Sequence, residues 1–293
     1  MLHRVAALTA TALLATMTAT ATATAAPVES PEQAAAIAHR GASAYAPENT
    51  LEAVRLGVEM RADLVEIDVQ QTADEKLVVV HDTTLGRTTD VEQKFPERAP
   101  WRVSDFTLEE IRTLDAGSWK DPSYAGATVP TLDEVLDVLE PTDAGLLLEA
   151  KSPSLYPGIA ERIADELSSR PRWVRPDPSA RNLVVQSFDW EFIRHFDGLL
   201  PQVQVGVLGA PSTDQLAEVA RYSDQVNPHH SEATPEYVAA VHEHGMRINP
   251  YTVNDRERMR ALLGNGVDGI ISDRPDVLRE EIRAARTAQR AGA

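Results

Sequence analysis

Residues 64–82 read LVEIDVQQTADEKLVVVHD, and the reading of the whole chain turns on them. Val65, Ile67 and Val69 alternate with Glu66, Asp68 and Gln70. A period of two belongs to a strand: it sends the apolar residues to one face and sets Glu66 and Asp68 side by side on the other. After a polar turn at 72–75, the β-branched run at 77–80 brings the chain back and delivers His81 and Asp82 at its tip. In isolation such a stretch reads as an edge hairpin with a solvated acidic face. The chain on either side of it argues for something else.

Outward from this hairpin the pattern is strand, loop, helix, repeated. Short apolar runs at 35–38, 64–70, 145–151, 183–188, 203–208, 224–228, 246–253 and 269–272 predict strands. Between and after them, segments at 50–61, 132–139, 157–169, 189–196, 213–221, 235–244, 256–263 and 275–288 carry helical spacing. With the hairpin strand set aside, each of the eight strands leads into a helix or an insertion, which predicts a (β/α)8 barrel. A doubly wound sheet finds no support, because no G-x-G-x-x-G follows the first strand. Residues 83–130 break the rhythm. They hold Trp101, Phe106, Trp119 and Tyr124, include one short capped helix in VSDFTLEEIRTL, and read as an insertion over the mouth of the site.

Composition bounds the function. His3 and Arg4, an apolar run and the small-residue site at 23–25 form a secretory leader, with cleavage expected before Ala26 and one domain at 26–293 in a secreted protein. No stop-transfer pattern follows, so no stable membrane anchor is expected. The chain has no cysteine, which removes disulfides and thiolate chemistry and leaves oxygen and imidazole as metal ligands. A formal charge of −17 argues against nucleic acid or an anionic membrane as partner.

In a (β/α)8 barrel the chemistry sits at the carboxyl ends of the strands. Those ends carry His39 and Arg40, then Glu66 and Asp68, then Glu149 and Lys151, with His81 presented by the hairpin. Gln186, Asn227, His229, Tyr251, Asn254 and Asp273 end the later strands. Glu66, Asp68 and Glu149 make an all-oxygen set that fits a divalent cation, Ca2+ or Mg2+ alike. Arg40 and Lys151 beside it make a positive pocket suited to phosphate. Two imidazoles near a phosphorus centre suit proton transfer to a leaving oxygen and from a nucleophile.

The stretches IAHRGASAYAPENTLEA, LVEIDVQQTADEKLVVVHDTTLGRTT, LLLEAK, VVQSFDW, YTVND and GVDGIISDRPDVL resemble the glycerophosphodiester phosphodiesterase family, in order and across most of the chain. The resemblance implies a TIM barrel that takes a small glycerophosphodiester as substrate. It also implies a metal on Glu66, Asp68 and Glu149, a catalytic pair His39 and His81, phosphate contacts from Arg40 and Lys151, and support from Glu48 and Asn49. Two departures stand out: Ala150 replaces an aliphatic residue usual in the family, and Tyr251 stands where tryptophan is common, which bears on the pocket for the alcohol. A non-catalytic glycerophosphodiester-binding protein, and a sphingomyelinase D or phosphatidylinositol phospholipase C type of activity, are the competing readings. Outside the constellation, His242 and His244 point apart and read as solvated, His229 and His230 as loop histidines, and RPRWVRP at 170–176 as a linker loop.

Overall fold

Strands that are covered on both faces must be apolar nearly throughout, and the short runs AAIA, LLL and GIIS meet that demand. The structure, a computed structural model, describes residues 34–176 and 182–292; the expected leader at 1–25 and its expected cleavage site lie outside them. β1 (Ala35–Ala38), β2 (Leu64–Gln71), the hairpin strand β3 (Leu77–Val79), β4 (Gly145–Ala150), β5 (Leu183–Ser187), β6 (Gln204–Leu208), β7 (Gln225–Asn227), β8 (Arg247–Ile248) and β9 (Gly269–Ser272) form one sheet. Its order is β8-β7-β6-β5-β4-β2-β1-β9, parallel throughout, with β3 antiparallel on β2. The seam between β8 and β9 closes through backbone bonds from Asp268 N to Ile248 O at 3.0 Å, Ile271 N to Pro250 O at 3.0 Å and Val253 N to Ile271 O at 2.9 Å. The fold is a (β/α)8 barrel.

Val65, Ile67 and Val69 pack outward into the core shared with the helices, together with Leu146, Leu148, Val185 and Val205. The period-two reading therefore places Glu66 and Asp68 inside the barrel, above an apolar floor of Ala35, Ile37, Leu64, Leu147, Val184 and Ile271. Asp68 is the register partner of Glu149, and Glu149 of Gln186, so three adjacent strands contribute polar residues to one interior layer.

Side-chain caps set the helix starts. Thr50 caps α1 (Leu51–Glu59). Short α2 (Val91–Lys94) and α3 (Leu108–Ile111) lie in the 83–130 segment, and a Thr131 to Glu134 capping box opens α4 (Leu132–Leu139). α5 (Ile159–Ser168), α6 (Pro171–Val174), α7 (Trp190–Leu199), α8 (Leu216–Val219), α9 (Pro235–Glu243), α10 (Arg256–Asn265) and α11 (Pro275–Gly292) follow.

Four expectations need correction. VSDFTLEEIRTL is not one helix: a single turn at Val103–Asp105 ends where Phe106 goes extended, and Thr107 starts α3 afresh with Glu110 in a capping box. RPRWVRP contains the one-turn helix α6, because Trp173 is pulled to 1% exposure in the core. β8 has two residues where eight were expected, since Pro250 has no N–H to continue the ladder. α8 is confined to Leu216–Val219, well inside the expected 213–221.

Residues 83–130 build a small core of their own, in which Leu85, Val91, Val103, Phe106 and Ile111 pack on Val78 and Val80 of the hairpin. Lys120 Nζ donates to Ser43 O at 2.8 Å and the Tyr124 hydroxyl to Tyr45 O at 3.0 Å, tying this segment to the loop after β1.

Candidate active site

Glu66, Asp68 and Glu149 are only 2%, 1% and 7% exposed, and one oxygen from each lies within 4.8 Å of the others. Three buried carboxylates this close cannot all be charged without a cation. Burial, then Asp68 and Glu149, push the Glu66 carboxyl well above its usual range; burial and Asp68 do the same to Glu149. Burial acts on Asp68 as well, but Arg40, Lys151 and His81 together outweigh it and hold Asp68 below the ordinary value. Asn49 clamps Asp68 from behind: its Nδ2 donates to Oδ2 at 2.8 Å, and its Oδ1 accepts from the Asp68 backbone at 3.2 Å. Asp68 Oδ1 is left buried without a hydrogen-bond donor. An orphaned carboxylate oxygen beside two others is a donor set that fits a hard divalent cation.

Arg40 sits in the left-handed region at φ 53°, and the turn is completed by Gly41, where a Cβ would stand 2.4 Å from Ala53 C. This turn lets the Arg40 backbone N–H donate to Glu66 Oε2 at 2.7 Å while the guanidinium reaches Glu48 Oε1 at 2.8 Å. Its Nε lies 3.3 Å from Asp68 Oδ2. Lys151 Nζ lies 2.6 Å from Glu149 and 3.7 Å from Asp68. Burial works against both cations, yet the surrounding carboxylates raise both above their ordinary values, so each stays charged.

Each histidine is backed by a carboxylate. His39 Nδ1 lies 2.6 Å from Asp273 Oδ1, and Asp273 also accepts from the Ser43 hydroxyl at 3.0 Å and Asn254 Nδ2 at 2.6 Å. Burial opposes its ionisation, but His39 and these donors bring the Asp273 carboxyl down to about 2. A carboxylate only accepts, so the proton sits on His39 Nδ1 and Nε2 is left for the cavity. His81 Nδ1 lies 2.6 Å from Asp82, whose carboxyl is brought to about 2 by Arg87 first and by His81 next. Arg87 donates to Asp82 at 2.6 Å and to both Glu48 oxygens at 2.9 and 2.8 Å. Burial, with Arg40 and Lys151 nearby, lowers the His81 imidazole against the pull of Asp68 and Asp82.

His39, Arg40, Glu66, His81, Glu149 and Lys151 line one cavity of about 200 Å3, and Gln186, Phe188 and Tyr251 are also in its wall. Gln186 Oε1 accepts from Asn227 Nδ2 at 2.8 Å, so the expected strand-end Asn227 lies behind Gln186. Glu48 and Asn49 brace Arg40 and Asp68 from outside the cavity, as does Asn254 for Asp273. His229 stays beyond the rim, bonded to Ser231, with its ring 6.2 Å from that of Tyr251. His242 is not solvated: it bonds Asp268 at 2.9 Å beside the barrel seam. Arg87, Ser43 and Phe188 are members of the site that sequence reasoning did not single out, and Arg87 makes the most contacts. Its signal is its place in HDTTLGRTT, five residues beyond Asp82.

A closed parallel barrel with two imidazoles, carboxylates and cations converging at the carboxyl ends of its strands defines a (β/α)8-barrel enzyme. The glycerophosphoryl diester phosphodiesterase family matches residues 39–277, and the chain belongs to this family. It is 36% identical over 265 residues to the glycerophosphodiester phosphodiesterase of Bacillus subtilis, covering 86% of this chain and 87% of that one. The enzyme of the same name from Caldanaerobacter subterraneus is 35% identical over 252 residues, with 84% and 97% covered. Among solved structures, an Oleispira antarctica phosphodiesterase in complex with the product sn-glycerol 3-phosphate superposes with a TM-score of 0.73 at 29% identity, covering 84% of this chain and 96% of that one.

Proposed function

We propose that the protein hydrolyses glycerophosphodiesters to glycerol 3-phosphate and an alcohol, with a divalent cation, Ca2+ or Mg2+, on Glu66, Asp68 and Glu149. The observation that carries this reading is that two carboxylate-backed imidazoles, two half-buried cations and Glu66 and Glu149 of the carboxylate cluster all line one cavity. The product bound to the Oleispira antarctica relative supports it.

Arg40 and Lys151 bind the phosphoryl oxygens and stabilise the charge that develops on them. A divalent cation held by Glu66, Asp68 and Glu149 would supply Lewis-acid stabilisation of the developing negative charge. One imidazole takes the proton from the 2-hydroxyl of the substrate glycerol, which attacks phosphorus. The other gives a proton to the departing alcohol, and water then opens the cyclic phosphate with the roles exchanged. Asp273 and Asp82 hold Nδ1 of each ring, so Nε2 does the transfer in both. A protein that only bound its ligand would need the cations but not two oriented imidazoles.

Incubation with glycerophosphocholine, with glycerol 3-phosphate assayed in Ca2+ or Mg2+ and again in chelator, tests the proposal. No glycerol 3-phosphate in either cation overturns it. A diester with a p-nitrophenolate leaving group assigns the imidazoles: it needs no protonation, so it rescues the His→Ala variant at position 39 or 81 that lacks the acid, and not the other. We further propose a secreted mature chain that begins at Ala26 as one domain, with residues 83–130 over the mouth. The leader pattern and the bonds from Lys120 and Tyr124 to the loop after β1 support these points. N-terminal sequencing of protein from the culture medium tests the first, and a secreted chain that retains Met1 refutes it.

A further inference from the structure

A period of two puts Gln70 on the interior face of β2 with Glu66 and Asp68, one step nearer the carboxyl end. Unlike Glu66 it does not line the reaction cavity, and it is 0% exposed. A buried carboxamide has two donor hydrogens and an acceptor oxygen to satisfy, so its partners show what it holds. Gln70 Nε2 donates to three consecutive carbonyls, Val80 O at 2.9 Å, His81 O at 3.0 Å and Asp82 O at 2.6 Å, its hydrogens being shared among them. Gln70 Oε1 accepts from the Tyr156 hydroxyl at 2.7 Å.

Those three carbonyls lie where regular pairing stops. β3 ends at Val79; beyond it Val80 N donates to Asp68 O at 2.9 Å, and among the described residues the next backbone bond along the chain is Val103 N to Thr83 O at 3.0 Å. His81 and Asp82, which carry the imidazole and the carboxylate behind it, sit in that gap. A stretch without strand partners opens easily unless side chains hold it. Gln70 supplies from inside the barrel the bonds that a neighbouring strand would have made. Tyr156 fixes the amide in turn: it is 3% exposed and closes the single turn at Pro153–Leu155 that follows Lys151. Burial first and Asp105 next push its hydroxyl up to about 12, so it keeps the proton it donates. A reversed amide would set its oxygen against three carbonyl oxygens, so the network admits one orientation.

We propose that Gln70, oriented by Tyr156, is a positioning residue for proton transfer, holding the backbone of residues 80–82 so that the His81 ring keeps its place relative to the phosphate-binding Lys151. The inference rests on the phosphodiesterase reading above. Lys151 is tied to the same strand, since its N–H donates to Val69 O at 3.0 Å, next to Gln70. Neither Gln70 nor Tyr156 lines the cavity, and both act through His81. A reacting group misplaced by about 1 Å can cost about 100-fold in rate, so a bond behind the backbone can matter as much as one to the ring.

The test uses Gln70→Met, which keeps the length of the side chain and removes its donors, and Tyr156→Phe, which leaves Gln70 in place without its hydroxyl partner. On glycerophosphocholine, Gln70→Met should lower kcat about 10- to 100-fold, with KM and divalent-cation affinity within about twofold of the wild type. Tyr156→Phe should lower kcat less, by about threefold to tenfold. A double-variant cycle shows whether the loss runs through the imidazole: either substitution should cost little further in a chain that already carries His81→Ala. Backbone NMR relaxation needs no turnover. The amides of His81 and Asp82 should be as rigid as those of β2 in the wild type and mobile in Gln70→Met, with that of His39 unchanged. An unchanged kcat, an undiminished further loss in the His81→Ala background, or amides at 81 and 82 that stay rigid in Gln70→Met overturns the positioning role while leaving the phosphodiesterase intact. Should Gln70→Met fail to fold, Tyr156→Phe carries the same cycle and the same relaxation measurement. Mobile amides in the variants of a protein that hydrolyses no diester sustain the hold on His81 and overturn the phosphodiesterase reading.

Discussion

Asp273 and His39 are 234 residues apart in the chain and 2.6 Å apart in the barrel, joined across the β1 to β9 ladder. Asp273 gives the His39 ring one tautomer and one orientation. Ser43 and Asn254, which also bond Asp273, hold the carboxylate itself in place.

Replacing Asp273 by Asn should therefore lower kcat about 10- to 100-fold, a part of the full worth of a general acid or base, with KM little changed. The readout is the split between kcat and KM, set beside chelator-reversible cation binding. Cation affinity should stay as in the wild type. A variant that loses KM and cation affinity together would show Asp273 to be merely structural.

Arg87 joins both halves of the site, since it bridges Asp82 behind His81 to Glu48 behind Arg40. Arg87→Ala should lower kcat/KM by about tenfold or more. Arg87→Lys should not rescue it, because an ammonium cannot make the forked contacts to two carboxylates. Full activity in the lysine variant would show that a point charge suffices.

The carboxylate cluster should make stability depend on the cation. A saturating divalent ion at about 100 times its Kd adds about 2.7 kcal/mol, read as a rise in Tm over chelated protein. Glu66→Gln, Asp68→Asn and Glu149→Gln should each reduce that rise while the chelated proteins still fold, because each replaces one acid of a crowded buried set with a neutral amide of the same shape. Calorimetry that finds cation affinity unchanged in all three variants would refute the assignment.

His242 supplies a pH test away from the site. Its bond to Asp268 raises its pKa, against burial, so the folded state binds the proton more tightly than the unfolded chain. This contribution is complete below the unfolded value of about 6.5 and is lost as pH rises through the folded value. The stability gap between the wild type and His242→Gln, on the order of 1 kcal/mol, should be larger at pH 5.5 than at pH 8.5 in urea titrations. A gap independent of pH would mean that the pair contributes only as a neutral hydrogen bond.

The barrel was legible from residue order alone, because strand and helix write their periods of two and 3.6 into any chain that must bury one face. The same rule placed Glu66 beside Asp68 and Glu149 beside Lys151. It could not say whether that face met water or the inside of a barrel, since the alternation is the same in both. Closure of the sheet decided it, leaving Asp68 at 1% exposure with one oxygen that accepts no hydrogen bond. Closure also brought Asp273 to His39. Arg87 came to Glu48 through the fold of the 83–130 segment, and Trp173 was drawn into the core to wind a helical turn where a loop was expected. Periodicity is a property of the local backbone and can be read a few residues at a time. Contacts between residues far apart in the chain exist only after the whole barrel has paid the entropy of bringing its ends together, and no local pattern records them.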